Sequence, residues 1–202
     1  MINIFKWPVI ILASPRTGST ALGFQIQEQY KSLNVKYFSE PITVTGTNCF
    51  KFQDADEIKE FKETFYGKNS HYVVKFMPWQ MMGVPEYQSL YKSDCFKIKL
   101  TRESELDQII SFYIGNMAGN SVQKEKTIPQ YTIDINPNFI RRSISAIQDS
   151  NNFLKYSTQT FDIELTYESL NLADQTVAYK TTPPINIEEI QTAIKKIYER
   201  YI

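Results

Sequence analysis

Seven residues near the start of the chain have the side chains of an anion-binding loop. They follow the apolar run Val9 to Ala13 and read Ser14, Pro15, Arg16, Thr17, Gly18, Ser19 and Thr20. A helix-compatible segment comes next, and the first N–H groups of a helix have no partner within it, so they point at the preceding loop. Arginine adds a rigid fork of donors for phosphate or sulfate oxygens, and glycine lets the backbone approach a ligand closely. The stretch therefore predicts a site for a phosphorylated or sulfated ligand.

The same loop differs from the common triphosphate-binding motif G-x-x-x-x-G-K-[ST]. Gly18 is followed by Ser19 instead of lysine, and Ala13 or Ser14 stands where the first glycine would be. These differences count against an ATP- or GTP-binding loop of the usual kind. A generic phosphate loop at the start of an α/β domain remains an alternative interpretation of these residues.

A second candidate cation follows a later strand-like segment. Phe96 to Leu100 alternates apolar residues with lysines, and Arg102 comes almost directly after it. The amphipathic helical segment Glu103 to Met117 then carries Ser111. Arg102 and Ser111 share one end of the sheet only if this helix packs back beside the strand. The residues alone also allow a surface ion pair between Arg102 and a neighbouring glutamate, Glu103 or Glu105.

The elements that must position these loops alternate between strand and helix patterns, which favours a parallel sheet covered by helices. The predicted strands are Pro8 to Ala13, Val35 to Phe38, His71 to Phe76, Cys95 to Leu100 and Thr160 to Thr166. The predicted helices are Gly18 to Lys31, Asp54 to Tyr66, Pro85 to Lys92, Glu103 to Met117, Asn138 to Tyr156 and Ile187 to Tyr201. We expect one α/β domain over residues 1–202, a three-layer sandwich with a central, mostly parallel sheet flanked by helices.

Composition narrows the classes of function. Lysine and arginine number 22 and are balanced by 22 acidic residues, so no overall positive field recruits nucleic acid or a membrane surface. Cys49 and Cys95 are too few for a disulfide framework and favour reduced thiols. No apolar run approaches the ~20 residues of a membrane span, and the N-terminal run leads into the loop like a first strand rather than a signal peptide. We expect a soluble, cytoplasmic protein.

The two candidate anion sites together resemble the donor-binding motifs of sulfotransferases that use 3′-phosphoadenosine 5′-phosphosulfate (PAPS). Ser14 to Thr20 resembles their 5′-phosphosulfate loop, in the arginine-containing variant that looks like the bacterial and carbohydrate-directed branch. The 3′-phosphate motif L-x-R-x-x-x-L-x-Q-x-x-S of the trehalose- and Nod-factor-type bacterial enzymes is matched by Leu100, Arg102, Leu106, Gln108 and Ser111. Residues 42–70 and 117–160 show no such match.

Further segments are similar to elements of the same family. Phe38 to Pro41 resembles the E-P element after the second strand, whose carboxylate, here Glu40, takes the proton from an acceptor hydroxyl. Lys75 corresponds to the lysine of a strand that ends near the sulfuryl group. Tyr167 to Leu170 resembles the Y-E-x-L element and is interpreted as structural. Lys180 stands where the family brings a late basic loop over the 3′-phosphate, although the glycines of that loop are missing.

The resemblance implies a P-loop-like fold and a metal-independent transfer of a sulfuryl group from PAPS to a hydroxyl of a glycan or other small metabolite. The product would be 3′,5′-adenosine bisphosphate. Arg16, Lys75 and Glu40 would be catalytic: Arg16 stabilises the leaving phosphate, Lys75 contacts the sulfuryl or bridging oxygen, and Glu40 is the base. The residues implied in donor binding are Pro15, Arg16, Thr17, Gly18, Ser19, Thr20, Arg102, Ser111 and Lys180.

Two alternative functions remain open on the sequence, and the resemblance does not assign the acceptor surface. The chain could instead be a P-loop-like kinase, or a non-catalytic nucleotide-binding module. The acceptor surface is expected to include residues 42–60 and the polar loop 117–136, which has no periodicity. His71, the single histidine, is predicted at the strand end opposite the ligand and is not a candidate base.

Overall fold

A computed structural model describes residues 2–42, 55–67, 71–118, 131–170 and 184–201, which form five strands and six α-helices. The strands are β1 (Val9–Ala13), β2 (Lys36–Ser39), β3 (Tyr72–Phe76), β4 (Phe96–Thr101) and β5 (Ile163–Thr166). The helices are α1 (Ser19–Gln29), α2 (Ala55–Tyr66), α3 (Pro85–Lys92), α4 (Glu105–Met117), α5 (Pro137–Tyr156) and α6 (Ile187–Tyr198). Short 3₁₀ helices occupy Lys31–Leu33, Pro78–Gly83 and Tyr167–Ser169.

The five strands form one sheet in the order β2-β3-β1-β4-β5, and every neighbouring pair is parallel. β1 lies at the centre, where Ile11 is opposite Lys75 of β3 and Ile98 of β4. All five residues of β1 are buried, as expected of an apolar strand covered on both faces. The predicted α/β class, with a parallel sheet flanked by helices, is confirmed.

Side chains that alternate along the strands build a core on each face of the sheet. On one face, Ile11 of β1 packs in a cluster with Leu22 of α1. On the other face, Ile10 packs in a cluster with Phe61 of α2 and Tyr87 of α3. A third cluster joins α4, α5 and α6. The helices therefore cover both faces, in agreement with the expected three layers.

The central strands β1 and β4 are neighbours whose following segments diverge. α1 covers the face that contains Ile11, whereas α4 packs against α5, whose Leu154 belongs to the core on the opposite face. Open α/β sheets bind ligands at such a point, outside the carboxyl ends of two adjacent parallel strands whose following segments diverge. The loop after β1 and the loop after β4 both leave the sheet here.

Several element boundaries differ from the predicted ones for local reasons. β5 begins at Ile163 instead of Thr160, because the side chain of Asp162 accepts a hydrogen bond from the Lys97 N–H that a ladder partner would otherwise use, at 2.8 Å. The 3₁₀ helix Pro78–Gly83 was not predicted. α5 begins at Pro137, one residue before the predicted Asn138, because the Asn136 side chain accepts hydrogen bonds from the Asn138 and Phe139 N–H groups and so caps the first turn.

The structure also bears on the expectations for the histidine, the cysteines, the polar loop and a membrane span. His71 precedes β3 and packs edge-on against Trp7 with ring centroids 5.4 Å apart, so it lies at the predicted amino end of the strand. Cys95 is a buried free thiol, whereas Cys49 lies outside the described residues. Most of the predicted loop 117–136 also lies outside them, because residues 119–130 are not described. None of the α-helices in the described ranges is long and apolar enough to cross a membrane.

Gly23→Ala is expected to destabilise the fold. A Cβ at position 23 would lie 2.1 Å from Cε2 of Tyr37, whose ring packs directly on α1. Overpacking of this kind costs about 1–3 kcal/mol of the free energy of unfolding. Urea denaturation would measure the loss, with Gln25→Ala on the exposed side of the same helix as the control. Equal stability of the two variants would contradict the tight packing of Tyr37 against Gly23.

Candidate anion-binding site

The loop between β1 and α1 bends through two left-handed residues. Arg16 has φ 60° and Gly18 has φ 76°. A positive φ suits glycine but costs free energy for arginine, so the surrounding structure must hold Arg16 in place. Gly18 is the N-cap of α1 and offers no capping side chain. The first N–H groups of α1 therefore lack a side-chain cap, and they start just after the carboxyl end of β1, which pairs with β4.

Hydrogen bonds from two directions fix the path of this loop. Within the loop, Thr17 Oγ1 donates to the Ser14 carbonyl oxygen at 2.8 Å. From α4, Gln108 Nε2 donates to Ser14 Oγ at 2.7 Å and to the Pro15 carbonyl oxygen at 2.5 Å. The helix after β4 thus packs back beside the loop, which is the condition under which Arg102 and Ser111 share one end of the sheet.

The side chain of Arg16 lies against α4. Its Nε donates to the Ser111 carbonyl oxygen at 3.1 Å and to Ser111 Oγ at 3.3 Å. Gly115 makes room for it, because a Cβ there would lie 2.2 Å from Arg16 Nη2. Burial, and then the nearby charge of Arg102, lower the pKa of Arg16 below its ordinary value. The two residues expected at different phosphates of the donor, Arg16 and Ser111, are therefore in direct contact.

Arg102 completes a pair of neighbouring cations. Its Nη1 lies 3.5 Å from the Arg16 carbonyl oxygen, and its guanidinium carbon lies 4.8 Å from the ring centre of Tyr167. Its Nε lies 3.8 Å from Glu168 Oε1 and is buried without a hydrogen-bond partner among the described residues. Glu168 also accepts a hydrogen bond from the Glu103 N–H at 3.1 Å. The ion-pair partner of Arg102 is therefore Glu168, after β5, rather than the adjacent Glu103 or Glu105.

A second polar cluster lies beside the first, at the ends of β2 and β3. Lys75 Nζ donates to Glu40 Oε1, and Gln80 Nε2 donates to Glu40 Oε2 at 3.0 Å. The N–H of Met77 in turn donates to Gln80 Oε1 at 2.7 Å. Exposure of the Lys75 and Glu40 side chains is 4% and 13%. The two predicted catalytic side chains thus form a buried ion pair, and Glu40 has a left-handed backbone with φ 55°.

Tyr37 connects the two clusters. Burial raises the pKa of its hydroxyl, and the side chains of Ser39 and Thr20 lie close enough to oppose that shift. The hydroxyl nevertheless makes no hydrogen bond of normal geometry within the described residues. Because Ser39 precedes Glu40 and Thr20 is in the first turn of α1, the acid–base pair and the cationic loop share one edge of the sheet.

Not every predicted site residue takes part in the way the sequence suggests. Thr17 and Ser19 are buried, and the Thr17 hydroxyl is used inside the loop, so only its N–H remains to face a ligand. Lys180 lies outside the described residues. Sequence reasoning missed the roles of Gln80 and Glu168, although Glu168 stands in the segment Tyr167 to Leu170 that resembles the Y-E-x-L element. Within the described ranges, no group of three or more His, Cys, Asp or Glu residues is placed to hold a metal ion.

Lys75→Met is expected to lower the free energy of unfolding by about 3 kcal/mol, because it leaves the Glu40 carboxylate buried without its partner. The double variant Lys75→Met/Glu40→Gln should lose much less, since no uncompensated charge remains. Urea denaturation of the four proteins in this cycle measures the coupling. Lys31→Met, which removes the exposed Lys31–Glu28 pair, is the control. Additive losses in the cycle would show that the Glu40–Lys75 pair does not couple.

Comparison with known proteins yields no relative that could decide the function of this site. No family model matches the chain, and no curated protein sequence matches it. The side chains at the carboxyl edge of the sheet are therefore the guide to the chemistry of the chain.

Proposed function

We propose that this chain is a P-loop-like sulfotransferase that moves a sulfuryl group from PAPS to a hydroxyl of a glycan or small metabolite. The observation that carries the proposal is the pair Arg16 and Arg102, brought together beside the uncapped start of α1. Two neighbouring cations repel each other unless an anion lies between or beside them. No carboxylate among the described residues pairs with Arg16, so a bound anion is its natural counter-charge.

The donor has anionic groups at two separate positions, and the site offers donors for both. The loop N–H groups at the start of α1 suit the 5′-phosphosulfate. Arg102 and Ser111 suit the 3′-phosphate, and the buried Nε of Arg102 has a hydrogen left to donate. Arg16 belongs to the loop that suits the 5′-phosphosulfate and also contacts both residues that suit the 3′-phosphate, because its carbonyl oxygen accepts from Arg102 while its side chain donates to Ser111.

The acid–base pair supplies the groups for in-line transfer. The acceptor oxygen forms a bond to sulfur as the bond from sulfur to the phosphate oxygen breaks, and the acceptor proton passes to Glu40. Arg16 and the loop N–H groups stabilise the charge that grows on the leaving phosphate. For Glu40 to act as a base, Lys75 moves from its carboxylate to the sulfuryl or bridging oxygen of the donor. Lys75 is thereby both the partner of Glu40 in the free protein and an electrophilic group in the complex.

A non-catalytic nucleotide-binding module is the second candidate, and one observation favours it. Both carboxylate oxygens of Glu40 accept hydrogen bonds, one from Lys75 and one from Gln80. In this alternative the ion pair is a permanent brace between β2 and β3, and nucleotide binding at Arg16 and Arg102 has no chemical consequence. The kinase alternative has no comparable support, because serine replaces the lysine of the triphosphate loop.

Arg102→Ala is expected to weaken binding of 3′,5′-adenosine bisphosphate on the order of tenfold to a hundredfold, since a charge-assisted contact to the 3′-phosphate is lost. Binding of 5′-AMP, which lacks that phosphate, should change little. Arg16→Ala should weaken both ligands. Isothermal titration calorimetry at fixed salt measures the affinity of each variant and of the unmodified protein for both nucleotides.

Arg142→Ala is the matched control for these titrations, because Arg142 is exposed on α5. It should bind both nucleotides like the unmodified protein. Failure of the unmodified protein to bind the bisphosphate, together with binding of ATP and Mg²⁺, would overturn the proposal in favour of a kinase.

Glu40→Gln separates the enzyme from the binding module. It should leave bisphosphate affinity nearly unchanged and slow sulfuryl transfer from labelled PAPS by about a hundredfold or more, because a general base is lost. A panel of sugar, lipid and phenol acceptors supplies the assay. Glu60→Gln, at a surface pair with Lys36, is the control. Bisphosphate binding without transfer to any acceptor would support the module instead.

A further inference from the structure

Gln108 is a fully buried amide that links the anion-binding loop to the helices beyond it. Its exposure is 0%, and its Nε2 reaches both Ser14 Oγ and the Pro15 carbonyl oxygen. Its Oε1 accepts a hydrogen bond from Asn151 Nδ2 of α5 at 3.2 Å. Every polar atom of this amide therefore has a partner, and its donors serve the loop.

The Pro15 carbonyl belongs to the peptide group that precedes Arg16. Because Arg16 is held at a positive φ, the orientation of that peptide needs an outside constraint. The bond from Gln108 to the Pro15 carbonyl supplies one, at 2.5 Å. If this peptide turned, the backbone of Arg16 and the N–H groups that follow would leave their present direction.

The network continues from Gln108 to the C-terminal helices. Asn151 Nδ2 also donates to Glu105 Oε2 at 3.1 Å, and the hydroxyl of Tyr198 on α6 donates to Glu105 Oε1 at 3.0 Å. Gln148 donates to the same carboxylate oxygen as Tyr198, at 3.3 Å. Four elements, the loop, α4, α5 and α6, are thus joined through two side chains of α4.

We propose that Gln108 is a positioning residue: it holds the loop in its anion-binding conformation and connects the loop to α5 and α6 by hydrogen bonds. The inference rests on the proposed function insofar as the loop binds an anion. Gln108 donates to the carbonyl oxygen of the Pro15–Arg16 peptide, and it acts on the anion through that peptide. Loss of its amide donors should weaken anion binding without removing any ligand contact.

Gln108→Glu gives the sharpest test, because its effect should depend on pH. At pH 8 a carboxylate would face the Pro15 carbonyl oxygen and Ser14 Oγ, and bisphosphate should bind on the order of tenfold more weakly than to the unmodified protein. Near pH 5 the buried carboxyl group gains a proton and can donate again, so the ratio of affinities should shrink. The charged groups nearest in this network are Glu105, linked through Asn151, and Arg16, linked through the Pro15–Arg16 peptide. The unmodified protein, titrated at the same pH values, gives the pH dependence that these groups contribute by themselves.

Two more variants keep the test decisive if Gln108→Glu does not fold. Gln108→Asn retracts the amide from the loop and should weaken binding at every pH. Gln159→Glu makes the same amide-to-carboxylate change at a glutamine whose Nε2 donates to the Tyr91 carbonyl oxygen, far from the loop, and should bind normally. Unchanged affinity in Gln108→Asn, or a ratio for Gln108→Glu that does not vary with pH, would overturn the role of Gln108.

Hydrogen–deuterium exchange without ligand separates this inference from the proposed function. Peptides covering residues 14–22 should exchange faster in Gln108→Asn than in the unmodified protein, because the loop amides open more often. If the unmodified protein bound no bisphosphate but this difference in exchange appeared, the proposed function would be wrong, whereas the positioning role of Gln108 would be supported. Bisphosphate binding with identical exchange in both proteins would support the proposed function and contradict the positioning role of Gln108.

Discussion

Parallel pairing of β1 with β4 is the constraint on which the site depends. It places the ends of two strands, Ala13 and Leu100, in register, although they are distant in the sequence. The loops that follow must therefore leave the sheet side by side, one toward α1 and the other toward α4. Arg16 and Arg102 meet because of this pairing, and their mutual repulsion favours an anion beside them.

Strain and burial are concentrated at this edge of the sheet. Arg16 and Glu40 both have positive φ; Arg16 follows the buried strand β1, and Glu40 directly follows the partly buried strand β2. Such conformations persist where neighbouring contacts over-determine them. Gln108 provides those contacts for the loop, and Lys75 with Gln80 provides them for Glu40. The edge is consequently preorganised, which is the property that electrostatic stabilisation of a reacting anion requires.

The Glu40–Lys75 pair has one role in the stability of the fold and a second role under the proposed function. In the free protein it satisfies two buried charges that would be costly alone. Under the proposed function, a sulfated donor would compete with Glu40 for Lys75, and the carboxylate would become available as a base. The same contact therefore satisfies two buried charges in the free protein and, under the proposed function, would be exchanged for a contact with the donor.

The sequence by itself determined the strand–helix alternation, the parallel sheet and the two candidate anion segments, because apolar periodicity and loop chemistry are local properties. Tertiary structure alone decided which side chains contact the candidate site residues. Glu168 pairs with Arg102 because β5 adds to the sheet beside β4, and Gly115 admits Arg16 because α4 packs back over the loop. Gln80 reaches Glu40 through an unpredicted 3₁₀ turn. Such contacts join residues far apart in the chain, and their geometry depends on packing that no local pattern encodes.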